Sequence, residues 1–361
     1  MPWSAIVVIG NRSFPTATID QFASGQLRKG LRPSLAGVEI FGRSVLERMV
    51  SRLAKAGAQT ISVFADSSCG FFPKTRGVQI TIADDLDDRW SSAQHTLHHY
   101  ARQGIANVLV AELGAYVEFD FAAAIQFHQA KGQPITVLHD SQGPTGYWIT
   151  DTAHRTTNRS FAFPLDEREM SSVLIPYTEK SYVNRLADAH DLRRLVVDAF
   201  YGRCSITPSG REIRPGVWID EGARVHKTTR LVAPIYVGRN TRLRPAAVVT
   251  RFSNIERHCD VGEGSVVADS SVLAHTGIGR ALEVSGAVVS GTEFVDLGRN
   301  VTLTIEDPHL LFGGCTPTRQ LPNYGRELEE PDRQGRQVQL EHSQYWSRAA
   351  GRLLEVFRGE V

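Results

Sequence analysis

The sequence predicts an α/β domain of the doubly wound, Rossmann-like type followed by a stack of short parallel strands. Three observations lead there. The first 200 residues alternate strand-like with helix-like stretches, an aliphatic residue recurs at every sixth position from Ile213, and 361 residues exceed what one hydrophobic core organises.

The first element is an apolar run from Ala5 to Ile9, closed by Gly10 and followed by "NRSFPTATIDQF", with no further glycine until Gly25. A strand feeding a glycine-rich loop cradles phosphate, because only glycine lets backbone N–H groups close around an anion. Here the strand is present and most of the glycines are missing. A helix is predicted from Ser44 to Ala56, with Val45, Met49 and Leu53 on one stripe and Gly57 at its end. Strands "TISVFA" and "VQITIA", a helix from about Ser91 to Gln103, strand "NVLVAE", helix "FAAAIQFHQAKG" and strand "PITVLH" follow in order. Such alternation predicts a mainly parallel sheet.

The second regime is a ruler: Ile213, Ile219, Val225, Leu231, Val237, Leu243, Val249, Ile255, Val261, Val267 and Leu273. Four residues after each comes, mostly, a small or β-branched residue, among them Thr241, Ser253, Cys259 and Ser265. Neither the helical period of 3.6 nor the strand period of 2 generates this spacing, so it belongs to short strands alternating with turns, each burying its aliphatic residue against the next. After Leu273 the register is expected to slip through "GIGRALEVSG" and to resume at Val289, Val295 and Val301, ending near Ile305.

Segments such as "IDEGAR", "VGRNTR" and "VGEGSV" resemble the hexapeptide repeat of left-handed parallel β-helices. That resemblance implies three hexapeptides to each triangular coil. In the first half, "GRSVLERMVSRLAKAGAQTISVFAD" and "NVLVAELGAYVEFDFAAAIQFHQAKGQPITVL" resemble the sugar-nucleotide pyrophosphorylases, and the order of the two halves is that of mannose-1-phosphate guanylyltransferases. The expected organisation is a nucleotidyltransferase-like domain over 1–204, a left-handed β-helix over 205–305, and an extended tail over 306–361. A short helix from about Ser343 to Phe357 would present Trp346, Leu353, Leu354 and Phe357 to cap the stack or dock on a partner.

Composition narrows the setting. A net charge of +1 gives no electrostatic reason to expect nucleic acid or an anionic bilayer as partner. No apolar stretch approaches the ~20 residues that span a bilayer, and "MPWSAIVVIGN" carries neither a basic segment nor a cleavage site, so a cytoplasmic location is expected. Cys69, Cys204, Cys259 and Cys315 form no C-x-x-C pair and read as isolated thiols.

The resemblance implies a defined chemistry: a nucleoside triphosphate is joined to a sugar phosphate, with a glycine-rich loop and an arginine on the triphosphate, an assisting lysine, and two aspartates holding Mg²⁺. Carried onto this chain, the loop falls on Gly10, Asn11 and Arg12. The lysine falls in "LRKGLRPSLAG", where Lys29 and Arg32 are the nearby cations. The first metal carboxylate falls at Gly114 or a neighbour at the end of "NVLVAELG", where only Glu112 and Glu118 are acidic and Glu112 would serve at a longer reach. The second falls nearest Asn184, an amide that is a poor substitute on Mg²⁺, with Asp188 and Asp191 reached only through gaps.

Four features thus depart together from the family pattern, which makes Mg²⁺ doubtful. The expected role is a divergent homologue in nucleotide-sugar metabolism for cell-surface polysaccharide, binding a nucleotide sugar or nucleoside triphosphate with weak or no turnover, beside an active transferase subunit and in a homo-oligomer. Three alternatives stay open. They are an active pyrophosphorylase, a hexapeptide acyltransferase with His275 of "VLAHTGIG" as general base among His226, His258 and His275, and a structural oligomerisation subunit. "LHHY" at His98 and His99 is a poor metal clamp, because adjacent helix positions do not share a face. "DDLDDRW" reads as the solvated start of a helix.

Overall fold

The computed structural model describes residues 2–10, 35–66, 77–152, 175–178 and 181–313. The chain divides into two compact units, Met1–Thr207 and Pro208–Val361. The tail from residue 314, with its expected helix, lies outside the described residues.

The first unit is built on a seven-stranded sheet. In chain order its elements are β1 (Trp3–Ile9), the short strands β2 (Glu39–Ile40) and β3 (Arg43–Ser44), α1 (Val45–Lys55), β4 (Ile61–Ala65), β5 (Val78–Ile82), α2 (Leu86–Arg102), β6 (Asn107–Leu113), β7 (Tyr116–Val117), α3 (Phe121–Lys131), β8 (Ile135–Asp140), β9 (Gly143–Asp151), β10 (Ile175–Thr178), β11 (Val183–Asn184) and α4 (Ala189–Phe200). The sheet order is β10-β8-β9-β6-β1-β4-β5. Neighbours β6, β1, β4 and β5 are parallel, whereas β9 runs antiparallel between β6 and β8. The sheet is therefore mixed but mainly parallel, as expected, with β9 alone running against the other six strands, and β9 and β10 are the strands of this sheet that periodicity missed. "GPTGYWITD" starts with residues that signal a turn, and its strand pairing depends on partners distant in sequence.

Each helix follows from local chemistry. Ser44 accepts from the Glu47 N–H and Glu47 Oε2 accepts from the Ser44 N–H at 2.9 Å, a capping box that starts α1 where its apolar stripe begins. Asp85 caps α2, which begins five residues before the expected Ser91, so the acidic run is the cap and first turn. Trp90, Ala93, Leu97 and Tyr100 of α2 bury one stripe against Ile6, Val8, Phe64 and Val110 of the sheet. Tyr147, adjacent to the Trp148 of that cluster, points the other way and meets Met49 of α1, so the sheet carries helices on both faces.

The second unit is a stack of short parallel strands in three sheets, an arrangement compatible with a β-helix. One face carries Val217–Ile219, Ile235–Val237, Asn254–Ile255, Ser271–Val272 and Ala287–Ser290; another carries Arg224–Val225, Arg242–Leu243, Asp260–Val261 and Thr276–Ile278; the third carries Arg230–Leu231, Val248–Thr250, Val266–Ala268 and Glu283–Ser285. Aliphatic residues of all three meet inside, with Val237, Val249, Ile255, Val261, Val267, Val272 and Ile278 fully buried.

The small residues of the repeat lie at the corners and link one coil to the next. Ser265 Oγ donates to the Gly279 carbonyl at 2.7 Å and accepts from the Leu282 N–H at 3.1 Å. Ser270 repeats the pattern with the Val284 carbonyl at 3.4 Å and the Ala287 N–H, Thr241 with the Glu256 carbonyl and the Cys259 N–H, and Cys259 donates to the Leu273 carbonyl. Backbone groups that turn out of the ladder at a corner are thereby satisfied in the interior.

Three expectations need correction. Ile213 is 52% exposed on a strand paired antiparallel with Val217–Ile219, so the ruler starts at Ile219. Register slips before Leu273, not after it: Val249 pairs with Val267 eighteen residues on, but Ile255 pairs with Val272 and Val272 with Val289, seventeen on. One corner has lost a residue twice, and between the losses "TGIGRALEV" is regular, with Ile278 and Val284 inside. Finally, the parallel stack does not run to Ile305. Glu293–Asp296 folds back antiparallel on Ala287–Ser290, Val301–Thr304 pairs antiparallel with it, and Leu311–Gly313 lies antiparallel on Thr276–Ile278.

Candidate functional site

In the first unit β4 and β5 lie to one side of β1 and β6 to the other, so the chain reverses its direction of winding between β1 and β6. The carboxyl ends of parallel strands at such a point open into a crevice, the usual ligand position in α/β sheets. Gly10 follows β1 directly, and Glu112 lies in register with Val8 near the end of β6. A methyl group added to Gly10 would sit 3.4 Å from Glu112 Oε1, so the carboxylate lies against the glycine. From the other side β9 brings Gly146, whose φ of +81° favours glycine and where an added methyl group would sit a tight 3.2 Å from the Glu112 carbonyl oxygen.

Beneath this crevice lies a charge that sequence reasoning passed over. Arg89, in the first turn of α2, is fully buried. Its guanidinium donates to the carbonyl of Ile9, the residue before Gly10, to those of Asp85 and Asp84 at 3.3 Å each, and stands 3.7 Å from Asp66 Oδ2 at the end of β4. One side chain thus ties the ends of β1 and β4 to the start of α2. "DDLDDRW" was its only signal, and a solvated acidic run hides an inward arginine.

A second cation rims the same sheet edge. Arg185 grips Asp140, the last residue of β8, through Nε at 3.2 Å and Nη2 at 2.6 Å, and also donates to the Pro144 carbonyl. These bonds hold the Asp140 carboxyl below its usual pKa against the opposing effect of partial burial.

The expected site residues separate into groups. Asn11, Arg12, Lys29 and Arg32 lie outside the described residues. Gly10 and Glu112 come together at the crevice. Asn184 is fully buried beside Arg185, with its carboxamide oxygen accepting from the Leu186 N–H at 3.0 Å and its NH₂ donating to the Asp191 carbonyl at 2.8 Å. That is the geometry of a side chain fixing a turn, here one with Leu186 at φ 47°. Asp188 caps α4 and Asp191 accepts from the Ala187 N–H, so both serve the start of that helix. Glu118 takes three donors on one oxygen, the Tyr116 hydroxyl at 2.6 Å and the Ser205 N–H and hydroxyl at 2.6 and 2.5 Å. Burial and this carboxylate push the Tyr116 phenol up. Among the described residues no group of three or more His, Cys, Asp or Glu converges as a metal site.

In the second unit His275 and His258 occupy equivalent left-handed corners, at φ 64° and 55°, and their rings stack with centroids 5.0 Å apart. Partial burial, then Arg257 and Arg239, hold the His258 imidazole below its ordinary pKa. Cys204 has its thiol pushed up to about 11, chiefly by burial, which keeps it protonated at neutral pH. Cys69 and Cys315 lie outside the described residues.

No protein-family model matches this chain, and none of the curated proteins matches it. No described helix is long and apolar enough to cross a membrane.

Proposed function

We propose that the first unit is a nucleotidyltransferase-like domain that binds a nucleotide sugar at the crevice between β1 and β6 and turns it over weakly or not at all, with a left-handed β-helix as the second unit. The observation that carries this reading is the pairing of Gly10 with Glu112. Gly10, at the mouth of the first strand, falls where the pyrophosphorylase resemblance asks for the phosphate loop, and beside it Glu112 offers a carboxylate two residues before Gly114, the position the resemblance gives the first metal ligand. The second ligand position weighs against turnover, because Asn184 offers no carboxylate and both ends of its amide are bonded to backbone.

On this reading the chain serves nucleotide-sugar metabolism as a sensor or silent companion to an active transferase, and its stacked strands suit association into a homo-oligomer. Glu112 accepts hydrogen bonds from hydroxyl groups of the ligand and Mg²⁺ is dispensable.

The test is thermal shift with GTP, ATP, UTP, GDP-mannose, other sugar nucleotides and acyl-CoA, each with and without Mg²⁺. A ligand at a hundred times its dissociation constant adds about 2.7 kcal/mol to the apparent stability of the unit that binds it. The expected result is a shift by one sugar nucleotide that Mg²⁺ does not alter and Glu112→Gln reduces. A triphosphate shift that requires Mg²⁺ overturns the silent reading in favour of an active enzyme. A shift by acyl-CoA alone moves the function to the second unit.

A further inference from the structure

The three faces of the second unit differ in how their outward side chains are matched from strand to strand. Val225, Leu243 and Val261 point into the stack, so their neighbours Arg224, Arg242 and Asp260 point out. Register sets Arg224 beside Arg242, and Arg242 beside Asp260. The second of these pairs is the obvious ion pair, yet Asp260 is already engaged. Arg244 holds it with two bonds, Nε to Oδ1 at 2.8 Å and Nη2 to Oδ2 at 2.7 Å.

Arg224 and Arg242 are left facing each other. Among the described residues neither guanidinium has a hydrogen-bond or ion-pair partner, and the Lys227 ammonium at the adjoining corner has none either. Arg239 pairs with Glu221, and His226 Nδ1 lies 2.8 Å from the Thr228 hydroxyl. Like charges in register on neighbouring strands repel. Arg242 is also half-buried, so it has lost part of its hydration without gaining a counter-charge. On the third face the corresponding outward arginine, Arg230, is exposed and faces Val248, so this juxtaposition is particular to one face.

Two arginines in register on adjacent strands, whose backbones lie about 4.8 Å apart, carry planar guanidinium forks that match an anion with several oxygens to share between them. We propose that the Arg224–Arg242 pair binds a phosphoryl-type oxyanion, the phosphate or pyrophosphate group of a small molecule. Bound there, the anion cancels the repulsion along the face and accepts from both arginines, with Lys227 adding long-range attraction. The site lies wholly in the second unit and stands independently of the function read from the first.

The probe is inorganic pyrophosphate and the readout is local. The full chain is modified with phenylglyoxal, with and without pyrophosphate, and each arginine is scored by peptide mass mapping. Expected is a several-fold drop in modification at Arg224 and Arg242 under pyrophosphate, none under sodium chloride of equal ionic strength, and no change at Arg230. Equal reactivity with and without pyrophosphate overturns the proposal. So does equal protection by chloride, or a pyrophosphate-induced rise in melting temperature without protection of these two arginines, which assigns the anion to another site. The variants Arg224→Gln and Arg242→Gln provide a second measurement. Without anion each melts no lower than the wild type, since a repulsion has been removed, and in each the remaining arginine loses its protection by pyrophosphate. A fall of several degrees in either variant without anion assigns that guanidinium a structural partner and overturns the proposal.

Discussion

Replacing Arg89 by methionine tests whether the crevice of the first unit rests on one buried charge. The thioether fills most of the guanidinium volume, so no large cavity forms and the change is chiefly electrostatic. Three carbonyls lose a charged donor, but not equally. Asp84 and Asp85 are exposed and their carbonyls regain water, whereas Ile9 is 1% exposed and its carbonyl is stranded. An unsatisfied buried carbonyl costs about 1–3 kcal/mol. Asp66, with 16% of its side chain exposed, also loses the cation 3.7 Å away. Breaking a buried pair from one side costs about 3–5 kcal/mol, and the partial exposure of Asp66 places its share well below that. The sum is about 3–4 kcal/mol, or a fall of about 6–16 °C in the melting of a unit of this size. Because two units are present, the assay must report the first alone. The stacked rings of Trp90 and Trp148, 6.0 Å apart, supply a near-ultraviolet dichroism signal from the same core. Arg89→Lys is expected to fall between methionine and wild type, since one ammonium cannot reach all three carbonyls. A loss below about 1 kcal/mol for the methionine variant would refute the reasoning, because it would mean that these carbonyls do not depend on Arg89.

Three further predictions concern the corners, the closing strand and pH. Ser265→Ala strands the Gly279 carbonyl and the Leu282 N–H inside the stack and should lower the stability of the second unit by about 2–4 kcal/mol in urea titration; Cys259→Ala, which removes a weaker thiol donor, should cost clearly less, and equal losses would sink the corner argument. A side chain at Gly277 would collide with the Phe312 ring, so Gly277→Ala should raise hydrogen exchange at Leu311–Gly313 while leaving Val261 and Val267 protected; unchanged exchange there would contradict it. His128, His139 and His258 all have pKa values lowered from 6.5, chiefly by burial. The unfolded chain then takes up protons first on acidification, so stability is complete above pH 6.5 and falls as pH drops below it, levelling once the folded histidines protonate. Asp140, lowered from 3.8, adds a separate loss only in stronger acid. Denaturation midpoints that hold steady or rise between about pH 7 and 5.5 would contradict the histidine assignment.

What the sequence made legible was whatever depends on neighbours along the chain. The α1 stripe was readable because Val45, Met49 and Leu53 recur within a few turns, and the ruler was readable because each inward residue is fixed by its own short strand. What stayed hidden depends on contacts made across the fold. Strand β9 earns its place by pairing with β6 and β8, and "GPTGYWITD" alone does not announce that. Arg89 was hidden in a run of aspartates because charge composition does not say which side chain turns inward. In the candidate site, Gly10 and Glu112 could be placed from strand ends, but the commitment of Asn184 to its own turn required the loop in three dimensions.

The shortened corner carries a wider lesson about how this stack tolerates change. Where Val249 leads to Ile255, two residues, Arg251 and Phe252, take left-handed angles; where Val267 leads to Val272, Asp269 alone does so, and Gly286 alone in the next coil. The interior does not notice, because Val272 still lies beside Ile255 and Val289 beside Val272. Each layer takes its alignment from the layer beneath it, much as a course of bricks follows the course below whatever the length of the mortar joint at the corner. Residues are thus expendable at the bends and fixed along the sides, and lineages of this chain would be expected to differ in length at those bends first.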